Sequence, residues 1–175
     1  MKKVLVVVDM QNDFIDGALG TEEAQGIVGN VVKKIEQYQG EKVYATRDTH
    51  GENYMHTSEG KHLPVPHCIK GTEGWEIRSE VSEALKKAEA EIIDKPFFGS
   101  MVLVDKMVEF GSQKELEIEL IGLCTDICVV SNALLLKARL PEAIIRVDKT
   151  CCAGVTPQSH EAALITMKMC QIDIQ

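Results

Sequence analysis

At 175 residues the chain has the length of one ordinary domain and can bury a sizeable core. Its 45% hydrophobic and 26% charged residues are ordinary for a soluble globular protein. The formal net charge of -8 opposes phosphate backbones, so nucleic acid is not an expected partner.

No apolar run approaches the roughly 20 residues that span a bilayer, so no membrane partner is expected. The start, Met1-Lys2-Lys3 and an apolar run, has the look of a leader, but Asp9 interrupts it and no small-residue cleavage pattern follows. The expectation is a cytoplasmic protein. The six cysteines are Cys68, Cys124, Cys128, Cys151, Cys152 and Cys170, and they read as reduced thiols. No C-x-x-C pair occurs, and Cys124 with Cys128 gives little zinc signal without a second pair.

In chain order, Val4 to Val8 is a β-branched run suited to a strand buried on both faces. Ile27 to Tyr38 has helical spacing, with Ile27, Val31, Val32 and Ile35 on one face, and Gly40 stops it. Lys42 to Thr46 is a second strand. Arg47 to Trp75 reads as one long loop rich in Gly, Pro and His, a length that points to function or disorder. Val81 to Ala88 reads as a helix and Glu91 to Asp94 as a strand. Ser100 caps a helix to about Phe110. Leu116 to Leu123 is a strand, Asp126 to Arg139 a helix ended by Pro141, and Ala143 to Val147 a strand. Pro157 opens a last helix to about Cys170, and Gln171 to Gln175 adds an edge strand. This alternation predicts a single α/β domain over residues 1–175, three layers with a mostly parallel, doubly wound sheet between helices.

Ligands of such sheets bind beyond the carboxyl ends of the strands. Asp9, Asp48, Lys95 and the segment Cys124 to Cys128 all follow strands. Cys128 falls where a strand turns into a helix, and a helix N-terminus lowers a thiol pKa and offers N–H groups to an oxyanion. Read alone, Cys128 is equally a buried inert thiol, Asp9 a helix cap and Lys95 a solvated surface residue. Their shared rim raises the chemical reading. Cys151 and Cys152 read as small buried hydrophobes at a strand end.

Asp9-Met10-Gln11-Asn12-Asp13-Phe14, Lys95-Pro96-Phe97-Phe98-Gly99-Ser100 and Gly122-Leu123-Cys124-Thr125-Asp126-Ile127-Cys128-Val129 resemble three ordered motifs of the isochorismatase-like cysteine hydrolases. His160-Glu161-Ala162-Ala163-Leu164 is similar to that family's last-helix pattern. The resemblance implies Asp9 as general base, Lys95 as its charge partner and Cys128 as nucleophile. It implies an oxyanion hole from the backbone N–H groups of Cys124 and Cys128, and a cis Leu123–Cys124 peptide.

Asp48-Thr49-His50 and Pro66-His67-Cys68 resemble the metal-binding patterns of the nicotinamidase branch. An Asp and two His suit a divalent metal with an open position, Zn first and Fe or Mn as alternatives. His56 and His62 share the loop without the motif's flanks. Phe14 matches an aromatic that stacks on nicotinamide and is otherwise plain core. Two departures concern the ring pocket: Pro64 and Ile127 stand where nicotinamidases often carry aromatics, and Trp75 is a candidate replacement. The resemblance implies hydrolysis of nicotinamide to nicotinate and ammonia, in pyridine nucleotide salvage, by a homo-oligomer acting on a small-molecule amide. The alternatives are another carboxamide, such as an N-carbamoyl or ureido compound, a non-catalytic binding protein, and a thiol redox protein.

Overall fold

A computed structural model describes residues 1–175. β1 (Lys2–Val8) is buried from Val4 onward, as its β-branched run requires. A one-turn helix α1 (Asn12–Ile15) follows, which the sequence pattern did not single out. α2 (Glu22–Gln37) starts at Glu22, ahead of the expected Ile27, because the Thr21 side chain accepts the Ala24 N–H at 3.0 Å and caps it. Ile27, Val31 and Ile35 are buried on its inner face, while Val32 is only half-buried. β2 (Lys42–Asp48) runs past Thr46 to include Asp48.

The expected loop from Arg47 to Trp75 is partly ordered into elements. It carries a 3-10 turn (Tyr54–His56) and a short helix α3 (Ser58–His62) capped by Thr57, whose hydroxyl accepts the Gly60 N–H at 3.0 Å. α4 (Ser79–Lys87), β3 (Glu91–Lys95) and α5 (Met101–Phe110) follow, α5 capped by Ser100, which accepts the Leu103 N–H at 3.1 Å. β4 (Leu116–Leu123) has its expected bounds. The helix expected from Asp126 begins as a π-type turn (Thr125–Val129) and becomes α6 only at Val130–Arg139. β5 (Ile144–Ala153) is longer than expected and takes in Cys151 and Cys152. α7 (Pro157–Met169) opens on a Thr156–Ser159 capping box, and β6 (Asp173–Ile174) closes the chain's edge of the sheet.

The sheet is six-stranded and parallel throughout, in the order β3-β2-β1-β4-β5-β6. The chain winds outward from β1 to β3, then returns to the other side of β1 and winds outward again from β4. The reversal between β1 and β4 opens a crevice at their carboxyl ends. Val4, Val6 and Val8 face a core of 23 buried residues under α5, α6 and α7. Leu5 and Val7 face a second of 21 under α1, α2 and α4. Burial of both faces is what makes β1 continuously apolar. No helix is long and apolar enough to cross a membrane.

Candidate active site

Asp9 ends β1 at φ 47°, a left-handed turn that swings the chain out of the sheet and leaves its carboxylate over the crevice. It is fully buried and accepts the Thr46 hydroxyl at 2.6 Å. Lys95, the last residue of β3, is 1% exposed. Its long stem crosses β2, so that Nζ lies 2.7 Å from Asp9 Oδ2, 3.4 Å from Asp48 Oδ1 and 3.4 Å from Cys128 Sγ. It also donates to the Phe97 carbonyl at 2.9 Å. Two residues from β1 and β3 thus meet a thiol that follows β4. The same position makes Lys95 a buried ion-pair residue and not the surface lysine that its type favours.

Cys128 sits in the π-type turn, 4% exposed. Asn132, one turn on in α6, is fully buried and fixes this segment. Its amide donates to the Cys128 carbonyl at 2.8 Å and the Phe98 carbonyl at 3.1 Å, and its oxygen accepts the Ser100 N–H at 2.9 Å. A polar residue four past the cysteine in an apolar helix was the available signal for it. Thr125 Oγ1 is 2.7 Å from His160 Nδ1 of α7. The Asp126 carboxylate accepts the Val155 N–H at 3.1 and 3.2 Å. The Leu123–Cys124 peptide is cis.

The expectation of a lowered thiol pKa is corrected. Burial, then the Asp9 charge, push the Cys128 thiol well above its ordinary value, and the Lys95 ammonium only partly opposes them. Burial also raises the Asp9 pKa, against the pull of Lys95. Burial works against the Lys95 charge, but Asp9, Cys128 and Asp48 outweigh it and hold the ammonium protonated. The thiol therefore lies beside the paired Lys95 and Asp9 side chains.

A cavity of about 430 Å³ opens onto this group. Phe14, Leu19, Leu63, Phe97, Phe98 and Ile127 give it apolar walls, and Cys124 and Cys128 line its floor. No lysine or arginine lines it. Asp48, Glu59 and His67 line it as well. Trp75 does not: its indole N–H donates to Thr49 Oγ1 at 2.9 Å and Arg47 stacks 3.6 Å over its ring.

Asp48, His50 and His67 converge with a fourth donor, Glu59 of α3, their ligand atoms all within 4.8 Å of one another. His50 Nε2 lies 2.9 Å from Asp48 Oδ2 and 3.6 Å from Glu59 Oε1. His67 Nε2 lies 3.6 Å from each of the same two oxygens. Ligands about 2.1 Å from one ion lie roughly 3.0–3.4 Å apart at neighbouring positions, so the residues fit a divalent metal whose shell of five or six leaves room beside the four side chains. His67 Nδ1 donates to the Val65 carbonyl at 2.8 Å, which aims Nε2 at the centre of the group. Burial opposes a proton on His67, but Asp48 and Glu59 outweigh it and lift the pKa to about 10. Glu59 was missed because α3 is too short for its periodicity to register. His56 and His62 stay exposed and outside the group. Phe14 does reach the cavity, its ring 5.5 Å from that of His67.

All six cysteines are free. Burial pushes Cys151 to about 11 and Cys124 to about 12, and raises Cys68 and Cys152 further. Cys151 and Cys152 are buried as expected, inside β5.

The isochorismatase domain matches residues 3–174. The nicotinamidase/pyrazinamidase of Mycobacterium tuberculosis is 26% identical across 98% of this chain and 97% of its own. Among solved structures, the pyrazinamidase of Pyrococcus horikoshii in complex with zinc superposes with a TM-score of 0.83 at 28% identity, covering 100% of this chain and 99% of that one. The nicotinamidase/pyrazinamidase of Bacillus subtilis gives 0.86 at 28% identity, covering 99% of each chain.

Proposed function

Because the chain belongs to the isochorismatase domain family, we propose that it is a metal-assisted cysteine amidohydrolase that converts nicotinamide to nicotinate and ammonia. The observation that carries the reading is the placement of one apolar cavity between two groups: Cys128, Lys95 and Asp9 on one side, and Asp48, His50, Glu59 and His67 on the other. A flat, uncharged heteroaromatic amide presents a carboxamide to the first group and a ring nitrogen to the second. Relatives and similar structures named nicotinamidase or pyrazinamidase support the same substrate class.

In this mechanism Asp9 accepts the Cys128 proton and the thiolate attacks the carboxamide carbon. The backbone N–H groups of Cys124 and Cys128 hold the oxyanion. Asp9 returns the proton to the departing ammonia, leaving a thioester on Cys128. A water that gives its proton to Asp9 then attacks the thioester carbon; the C–S bond breaks, nicotinate leaves, and Asp9 returns the proton to the Cys128 thiolate. Lys95 remains protonated and keeps a negative charge on Asp9 favourable in a buried site. Phe14 packs on the ring. Asp48, His50, Glu59 and His67 would hold a divalent ion, zinc first, which when bound would supply Lewis-acid character at the end of the cavity that takes the ring nitrogen. Orienting the amide against Cys128 is then a proximity effect.

The test is ammonia release from nicotinamide by zinc-loaded protein. Wild type is expected to turn over, and Cys128→Ala to lose at least about 1000-fold in kcat with its fold intact. Retained hydrolysis in that variant overturns the nucleophile. A zinc-loaded wild type that releases no ammonia moves the substrate to another carboxamide.

A further inference from the structure

The side chains of two residues of the N-terminal motif, Gln11 and Asp13, do not line the cavity, yet each is wired to the backbone around Asp48, His50 and His67. The β1–β2 ladder closes at Val8 and Thr46, and β1 has turned away by Asp9. Further along β2, the Asp48 N–H and carbonyl face a place where no strand runs. The Gln11 carboxamide fills it as a peptide unit would. Its Oε1 accepts the Asp48 N–H at 2.7 Å, and its Nε2 donates to the carbonyls of Asp48 at 2.8 Å and Trp75 at 2.9 Å. Gln11 is 0% exposed, so water cannot substitute for these bonds.

Asp13 does the same for the other side of the group. Its Oδ2 accepts the Cys68 N–H, the peptide that leaves His67, at 2.8 Å. The Cys68 carbonyl in turn accepts the His50 N–H at 3.0 Å. One carboxylate therefore sets the backbone at both histidines. Gly74 packs on that carboxylate so closely that a Cβ would stand 2.2 Å from Asp13 Oδ2.

We infer that Gln11 and Asp13 are positioning residues that hold Asp48, His50 and His67 in register with Asp9, an inference that rests on the metal-assisted reading above. They preorganise the metal group through its main chain, which the side-chain ligands cannot do for themselves. The motif Asp9-Met10-Gln11-Asn12-Asp13-Phe14 then serves both halves of the site: the acid/base and the ring wall directly, the metal group at one remove.

The experiment is zinc affinity, measured by competition with a chromophoric chelator, for wild type, Gln11→Met, Asp13→Ala and Asp13→Asn. Circular dichroism and a denaturant midpoint report the fold of each. Gln11→Met and Asp13→Ala are expected to weaken zinc binding by about 10-fold or more, the range for partners behind metal ligands. Asp13→Asn keeps a carbonyl oxygen toward the Cys68 N–H and is expected to recover most of the affinity. Folded Gln11→Met and Asp13→Ala with wild-type affinity overturn the inference and leave the metal reading standing. A folded wild type that binds no zinc overturns both. The two side chains serve different ligands, so if one variant fails to fold the other still decides.

Discussion

Thr125 and Asp126 lie between Cys124 and Cys128 and are tied to the segment behind them, not to the cavity. The Thr125 hydroxyl bonds His160, and Asp126 bonds the Val155 N–H, so the start of α7 braces the turn that carries Cys128. Removing a brace shifts the backbone N–H groups relative to the oxyanion without touching ring contacts. Thr125→Val is therefore expected to lower kcat about 10-fold with KM little changed, less than the 100- to 1000-fold typical of losing an oxyanion donor outright. Steady-state kinetics check it, and a raised KM with unchanged kcat would assign the pair to substrate binding instead. The resemblance named His160 through its motif, but only the fold supplies its partner, 35 residues earlier in the chain.

At the scale of elements, β1 and β4 stay paired up to Val8 and Gly122, next to the crevice. Gly122 has φ 113°, and a Cβ there would stand 2.1 Å from the Val8 carbonyl oxygen. Gly122→Ala is expected to cost about 3 kcal/mol or more, from strain and from parting the strands that carry Asp9 and Cys128. A denaturant melt measures it. On the opposite face, α2 meets β4 and β5 through charges as well as hydrocarbon. Lys34 Nζ lies 3.0 Å from Glu119 and 2.8 Å from Asp148, and Tyr38 donates to Glu119 at 2.7 Å. Burial pushes the Asp148 pKa up, but hydrogen bonds from Lys34 and Thr150 outweigh it and hold the carboxyl below its usual range. A depressed carboxyl pKa stabilises the fold fully above the unfolded value, about 3.9, and the contribution disappears as pH falls through the folded value. Asp148→Asn is expected to destabilise by about 1–3 kcal/mol at pH 7, with the gap to wild type closing below about pH 4. Unfolding midpoints across that range decide it, and a gap constant down to pH 3 would make Asp148 a neutral acceptor.

For the molecule as a whole, the metal group ties the excursion between β2 and α4 to the sheet, since Asp48 ends β2 while His50, Glu59 and His67 lie beyond it. An ion bound only by the folded state adds about 2.7 kcal/mol at 100 times its Kd. For a chain of 175 residues that corresponds to a Tm raised by about 5–10 °C on adding zinc and lowered again by a chelator. A Tm indifferent to both would remove the metal from the proposal.

The sequence by itself determined the order of the strands and longer helices and the ends of β1 and β4, because buried β-branched runs and amphipathic spacing are written locally. It placed Asp9, Asp48, Lys95 and Cys128 on one rim for the same reason. It did not contain Glu59 beside Asp48, His50 and His67, Gln11 as a surrogate strand partner of Asp48, Asn132 behind Cys128, or the extension of β5 through the polar pair Lys149 and Thr150. Nor did it give the direction of the Cys128 pKa, which a helix N-terminus alone would lower and which burial beside Asp9 raises. Each of these depends on a group tens of residues away arriving within hydrogen-bond distance or excluding water. Local pattern encodes which face of an element is buried, and only tertiary packing decides what meets there.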